Sequence, residues 1–327
     1  MTSPTARVRF GTPHQIEVLV GVEPFVKKQI GAHLASRKLW LPDDLQPANA
    51  HNSTEDEAQV TGMRKMAKRL PPAVLVALAL NLLTEEGLPH FHRLIASHMG
   101  NDSPWRTWNN IWTAEEDRHG CAIRDYVREA RIFNMGALEK LQYHYIEAGF
   151  EPDWRQDPYC LLAYTSLQEK ATQIAHSNTG RQAAEFEPRM QRVLAHVSSD
   201  ESRHYQFYRA VFGAILAHDA NHALQSLLKV AIGFAMPGHK VTGFDNMSEV
   251  VRRIGIFGPR QYQSIVEELL AHWKIAQFTG LSPLGHEAQE KLMKLPARLA
   301  RIADHADARS AARSFKFDFL PQGGVEI

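Results

Sequence analysis

An all-α fold built around a four-helix bundle is what these 327 residues predict, and three observations carry it. Apolar residues recur at three- and four-residue spacing through most of the chain, and no run alternates convincingly as a strand would. Helix starts are marked by a capping residue followed by proline, at Ser103-Pro104 and Asp157-Pro158. Finally, a lone Glu followed by Glu-x-x-His occurs twice. Glu85 precedes Glu116 by 31 residues, with His119 next on the face, and Glu169 precedes Glu201 by 32, with His204 next. Two helix pairs of matching length would bring these six side chains to one level of a core.

Taken in order, residues 14–37 read as a first amphipathic helix, followed by a polar linker over 40–54. A second helix covers 55–70 and is broken by Pro71-Pro72. The run from Ala73 to Met99 reads as one long apolar helix. Pro89 stands four residues past Glu85 and removes its ladder bond, so a kink is expected at that carboxylate. The helix opened by Ser103-Pro104 reaches about Phe133, with the stripe Trp105, Trp108, Trp112, Glu116, His119, Ile123, Tyr126. A shorter helix over 137–148 stops at Gly149. The helix from Pro158 to Arg181 carries Leu162, Thr165, Glu169, Thr172 and His176 on one face. The one from Pro188 to Ala217 carries Met190, Leu194, Val197, Glu201, His204, Tyr208, Val211 and Ile215. Further helices are expected over 220–236, 248–254, 260–278 and 286–306, with an irregular tail from Ser314 to Ile327. One domain over 1–327 is expected, with its bundle at 73–217.

A formal charge of +1 gives no global field for nucleic acid or an anionic membrane. Two cysteines, Cys121 and Cys160, allow no disulfide framework and no thiolate metal site. No signal or transit peptide is visible in Met1 to Phe10, and the apolar run Leu70 to Leu83 falls short of the ~20 residues of a spanning helix. A soluble, cytoplasmic protein without a membrane span is expected.

Residues three apart on a helix share a face, so each Glu-x-x-His can offer a carboxylate and an imidazole to one ion. An unpaired charge inside an apolar stripe would be costly. One such motif alone is weak, but two on apolar stripes, each preceded by a lone inner Glu at matched distance, form a set. Glu85, Glu116, His119, Glu169, Glu201 and His204 match the ligand pattern of ferritin-like di-iron or di-manganese bundles. Oxygen-rich ligands with two imidazoles suit iron, with manganese as a substitute. Asp200 and Glu115 immediately precede the two motif glutamates, and Asp200 is expected to accept the distal N–H of a ligand histidine. His90, His92, His98 and His176 are read as solvated or hydrogen-bonded instead.

At these residues the sequence resembles the soluble acyl-acyl-carrier-protein desaturases. The likeness runs through Thr84-Glu85-Glu86-Gly87-Leu88-Pro89, Trp112-Thr113-Ala114-Glu115-Glu116-Asp117-Arg118-His119-Gly120, Gln168-Glu169-Lys170-Ala171-Thr172 and Asp200-Glu201-Ser202-Arg203-His204. Ser177-Asn178-Thr179, Met236-Pro237-Gly238-His239, Trp273-Lys274 and Thr279-Gly280-Leu281-Ser282 extend it over nearly the whole chain.

The resemblance implies a homodimer with a di-iron centre on those six ligands, Glu116 and Glu201 bridging. It implies that O2 and two electrons from reduced ferredoxin insert a cis double bond into a fatty acyl chain held on acyl carrier protein. Thr172 would stand beside the oxygen-binding face, and Trp40 and Asp200 would lie on the electron route. Leu94, Ser97, Leu161 and Leu162 would line the substrate channel, whose depth sets the bond position. His98 departs from the family's apolar residue near the closed end of that channel. Carrier protein is acidic, so Lys27-Lys28, Arg37-Lys38 and Arg64-Lys65 with Lys68-Arg69 are candidate docking charges. A di-iron hydroxylase or N-oxygenase would use the same six ligands. A ferritin-like iron-binding protein is the reading from a different class.

Overall fold

The computed structural model describes residues 11–46, 54–99, 103–308 and 311–327. Thirteen α-helices carry the described chain: α1 (Pro13–Gly21), α2 (Glu23–Ser36), α3 (Thr54–Ala67), α4 (Pro72–Glu85), α5 (Leu88–Met99), α6 (Pro104–Ala130), α7 (Met135–Ala148), α8 (Pro158–Ala183), α9 (Pro188–His218), α10 (Ala220–Ile232), α11 (Phe244–Arg253), α12 (Pro259–His272) and α13 (Pro283–Ala308). Helix α4 packs on α6 and α8, and α9 packs on the same two, which closes a four-helix bundle. Helices α10, α12 and α13 cover it beyond α8 and α9, α11 lies on α4, and α2 crosses α6 and α9.

Both cap-then-proline signals open a helix, but Ser103 makes no side-chain capping hydrogen bond to α6, whereas Asp157 does so for α8. Asp157 accepts hydrogen bonds from the backbone N–H groups of Tyr159 and Cys160 at the start of α8, with Pro158 at the first helical position. The apolar stripes named for α6, α8 and α9 are buried throughout. Along both α6 and α9 the stripe changes hands at the acidic residues. Trp105, Trp108, Trp112, Tyr208 and Val211 join one apolar core, while Ile123, Tyr126, Leu194 and Val197 join another. Glu116, His119, Glu201 and His204 lie between the two.

Four expectations are corrected. The first helix is two, because Pro24 lacks the N–H that would bond Val20 and breaks the chain at Val22. The kinked helix over 73–99 is instead α4 and α5, separated by a turn at Glu86-Gly87. A Cβ on Gly87 would meet the Tyr145 hydroxyl at 2.5 Å, so close packing of α7 holds this turn. The stretch 72–98 is apolar enough by length and composition to cross a membrane, longer than the run read from sequence, but 67% of its window is buried inside the protein. The tail is not irregular: Ser314–Lys316 pairs antiparallel with Gly324–Glu326. Its signal is the alternation of Phe315, Phe317 and Phe319, all buried, over a span too short for a reliable period. The polar linker holds one 3-10 turn, Pro42–Leu45, and its residues 47–53 lie outside the described residues.

Candidate metal centre

Glu85 closes α4, Glu116 and His119 come from α6, Glu169 from α8, and Glu201 and His204 from α9. All six are buried. They form two overlapping groups: one atom each of Glu85, Glu116, His119 and Glu201 lie within 4.8 Å of one another, and so do those of Glu116, Glu169, Glu201 and His204. Glu116 and Glu201 belong to both.

The two imidazoles are oriented alike. His119 Nδ1 points inward, 3.5 Å from Glu85 Oε2 and 3.6 Å from Glu201 Oε1. His204 Nδ1 lies 3.5 Å from Glu169 Oε2 and 2.8 Å from Glu116 Oε1. The outward nitrogens meet carboxylates. His119 Nε2 is 3.2 Å from Asp200 Oδ2, and His204 Nε2 is 2.8 Å from Glu115 Oε2. Each motif histidine is thus held by the acidic residue that precedes the other motif's glutamate. A carboxylate on the distal nitrogen leaves the inward one free to act as a donor to a cation.

Asp200 is also an acceptor for Trp40 Nε1 at 2.8 Å and Arg118 Nη2 at 2.7 Å, and it pairs with Arg203. The Trp40 ring stacks on the His119 ring, with centroids 6.1 Å apart and planes at 4°. Glu115 is joined by His33 Nε2 at 3.0 Å and Arg37 Nη1 at 3.3 Å. Sequence reading paired Glu115 with Asp200 but missed His33. That residue sits on α2, which has no fixed spacing to either motif, and only tertiary packing brings it here. His176 lies 2.6 Å from Glu85 Oε1, so its hydrogen bond reaches a motif carboxylate. Trp112 Nε1 donates to Glu169 Oε1 at 3.1 Å. The Thr172 hydroxyl lies 3.1 Å from Glu201 Oε2, and equally near the carbonyls of Gln168 and Glu169 in its own helix.

The donor set fits a pair of cations. Glu85 Oε2, Glu116 Oε1, His119 Nδ1, Glu169 Oε2 and His204 Nδ1 are buried and have no hydrogen-bond partner. The 2.8 Å approach of His204 to Glu116 is therefore a charge contact rather than a hydrogen bond. Orphaned buried polar atoms are expensive, and here they converge. Without cations the cluster compensates with protons. Burial, then the Glu201 charge, pushes Glu116 up to about 7, and burial with the same charge raises Glu169 well above the carboxylate range. Burial opposes charge on His119 and His204, but the carboxylates around them prevail and raise both well above the ordinary histidine value. Burial likewise opposes the Glu85 charge, and His176 and His119 overcome it, lowering that group to about 2.

A sign follows for the metal-free protein. The histidines' contribution to stability is complete below their ordinary value of 6.5 and is lost as pH rises through their higher folded values. Glu116, neutral up to about 7, loses stability in the same direction from 4.5 upward. Chelated protein should therefore melt at progressively lower temperature as pH rises above the ordinary histidine value of 6.5. The metal-loaded form should resist this, because ligands must be deprotonated to bind. Thermal scans with and without chelator check it, and a flat or rising curve for the chelated protein would contradict the assignment of these charges.

Two small cavities lie on one face of the centre. One of about 10 Å³ is bordered by Thr84, Glu85, Phe91, Trp112, Glu116, Gln168 and Thr172, and an apolar one of about 50 Å³ shares Thr84, Thr172 and Pro237 with it. Leu94 and Ser97 instead line a cavity of about 190 Å³ with Arg93 and Phe150. Leu161 and Leu162 lie in the apolar core and on the wall of none of these three. The expected four-residue channel wall is thus divided, because α8 turns those leucines into the core. Phe91, at the smallest of these three cavities, meets Phe150 of the 190 Å³ one with ring centroids 4.9 Å apart and planes tilted at 39°. His98 is buried and its Nε2 lies 2.6 Å from the Arg155 carbonyl, with burial lowering its pKa. Of the candidate docking charges, Arg37 pairs with Glu115 and Arg64 with Glu129, whereas Lys27, Lys28, Lys38, Lys65, Lys68 and Arg69 are exposed.

Comparison with known proteins agrees with this architecture. The model of the family described as "Fatty acid desaturase" matches residues 14–320. A stearoyl-[acyl-carrier-protein] 9-desaturase of Gossypium hirsutum is 32% identical over 314 residues, 91% of this chain and 79% of its own. A seed-specific stearoyl-[acyl-carrier-protein] 9-desaturase of Brassica napus is 32% identical over 316 residues, with 91% and 78% coverage. In fold, the crystal structure of Mycobacterium tuberculosis DesA2, described as an acyl-ACP desaturase, superposes with a TM-score of 0.62 at 19% identity, over 83% of this chain and 99% of that one. A bundle holding two carboxylate–imidazole groups, matched by the family model from α1 to the C-terminal hairpin, leads to one assignment: the chain belongs to the fatty acid desaturase family.

Proposed function

We propose that this chain desaturates a fatty acyl chain carried on acyl carrier protein, inserting a cis double bond with O2 and two electrons from reduced ferredoxin. The carrying observation is the pair of overlapping buried groups that share Glu116 and Glu201, in a chain whose relatives are named as stearoyl-carrier-protein desaturases. Glu85 and His119 would hold one iron, Glu169 and His204 the other, with Glu116 and Glu201 between them; manganese is the substitute that the same oxygen-rich set accepts. We extend the reading to one catalytic domain over 1–327, acting as a cytoplasmic homodimer.

A saturated chain offers no handle for acid–base or nucleophilic attack, and a bound iron pair supplies the O2 chemistry that removes hydrogen from unactivated methylenes. The reaction balances as two hydrogens from adjacent carbons, two electrons and two protons reducing O2 to two waters. The protein's own part is placement and exclusion. Asp200 and Glu115 fix the orientation of His119 and His204. Trp112 and Thr172 donate to Glu169 and Glu201, holding one oxygen of each in place. Thr84, Thr172 and Pro237 border the face on which a methylene pair must lie, where misplacement by ~1 Å costs ~10²-fold in rate. The tilted ring pair Phe91 and Phe150 stands between that face and the larger cavity bordered by Leu94 and Ser97, and supplies a stop that would set chain depth, with Leu161 and Leu162 packed behind. Electrons would enter through Trp40 and Asp200 to His119, a continuous hydrogen-bonded line.

The test supplies purified protein with ferredoxin, its reductase, NADPH and O2, and offers acyl carrier proteins of several chain lengths, with lipid products read by mass spectrometry. Loss of two hydrogens is expected. Addition of one oxygen would assign a hydroxylase instead, and iron uptake without acyl change would assign an iron-binding protein.

A further inference from the structure

We propose that His14, Asp219 and His222 form a second metal site, at the surface, that takes one zinc-like divalent transition ion and braces α1 against the corner between α9 and α10. The three share no residue with the buried centre. His14 is the second residue of α1, Asp219 is the junction residue between α9 and α10, and His222 lies in the first turn of α10.

The geometry is nearly that of a ligand set. His14 Nε2 lies 3.2 Å from Asp219 Oδ2, and His222 Nδ1 lies 2.9 and 3.0 Å from the two carboxylate oxygens. With metal–ligand bonds of ~2.0 Å, the donors of a tetrahedral ion stand ~3.3 Å apart. Two of the three separations are already close to this, and all three donor atoms lie within 4.8 Å of one another. The carboxylate is buried while the imidazoles are 55% and 61% exposed. It is also fixed from behind: the Tyr159 hydroxyl donates to Oδ2 at 3.3 Å, as outer partners of a ligand carboxylate do. Closing the third edge requires only rotation of exposed rings, whose outer side leaves positions for water.

Asp219 gathers the Tyr159 hydroxyl, the His222 backbone N–H and both imidazoles, which occupy the roughly four acceptor positions of a carboxylate and hold it between the two rings. Two imidazoles and a carboxylate are a zinc donor set, and the order of divalent affinities favours zinc and copper over iron or manganese here. The consequence is mechanical. Helix α1 is short, and an ion joining His14 to Asp219 and His222 would cross-link it to the far end of the bundle.

The test uses the full-length, iron-loaded protein and zinc chloride as the probe. Calorimetric titration should show one zinc bound with iron content unchanged. His14→Gln, which removes only an exposed ring, should weaken that binding by at least ~100-fold, since loss of an outer partner alone costs up to that much; His222→Ala should abolish it. Zinc should slow amide exchange in α1 of the wild type only. Wild-type affinity in both variants, zinc uptake only in exchange for iron, or unchanged exchange in α1 would overturn the proposal.

Discussion

Glu116→Gln should lower desaturation by ~10³-fold or more and reduce bound metal from two ions to at most one. Metal centres of this kind are worth several kcal/mol at the transition state, and each ~1.4 kcal/mol is tenfold in rate. The substitution keeps side-chain volume, so packing against α4 and α9 is preserved and the loss reads on charge alone. The second half of the expectation is the discriminating one. In the metal-free protein, burial and the Glu201 charge make ionised Glu116 unfavourable, pushing it up to about 7. A neutral amide there relieves that repulsion. The chelated variant should therefore melt above chelated wild type near pH 8, although the loaded wild type melts above the loaded variant. A residue kept for packing would show no such crossing. Equal metal content in both proteins, counted by elemental analysis, would remove Glu116 from the ligand set.

How much of this was legible in the sequence depends on where each interaction is encoded. The inward turn of Glu116 and His119 could be read because they continue a stripe that begins with Trp105, Trp108 and Trp112 and resumes at Ile123 and Tyr126, all within one helix. The same holds for Glu201 and His204 between Val197 and Tyr208. The partner of His204 was half legible. Glu115 mirrors Asp200 by position, yet its burial requires α2 to cross α6, and His33 carries no local signal of that crossing. The break after Glu85 was misplaced for a related reason. Pro89 marks a disrupted ladder, but the turn is set by Gly87 fitting against Tyr145, 58 residues away in α7. The channel wall was not legible, because which face of α5 or α8 meets a cavity depends on Phe91 of α5 packing against Phe150 in the loop after α7. Periodicity finds what a helix buries; it does not say against what.

Asp200→Asn separates two roles that one carboxylate performs. Asp200 is fully buried and is an acceptor for Trp40, Arg118 and His119 at 2.8, 2.7 and 3.2 Å. Removing its charge leaves Arg118, itself buried, without its counterion, and breaking a buried pair in this way costs ~3–5 kcal/mol. Burial opposes the Asp200 charge, but the bonds and charges of His119 and Arg118 hold its carboxyl well below the usual aspartate range. Its contribution is present above the ordinary value and is lost only as pH falls through the lowered one, so in the metal-loaded protein, where His119 is held deprotonated, the stability difference should be flat between about pH 6 and pH 8. The amide also turns a donor toward His119, and loss of a carboxylate behind a ligand imidazole lowers metal affinity by ~10–100-fold. A double variant tells the two effects apart. Adding Arg118→Met to Asp200→Asn should restore most of the stability, because the buried cation is gone and Arg203, the other partner of Asp200, is partly exposed and keeps water. It should not restore metal affinity, because His119 is still without its carboxylate. If the second change rescues both, Asp200 acts only by neutralising Arg118, and the histidine needs no orienting partner.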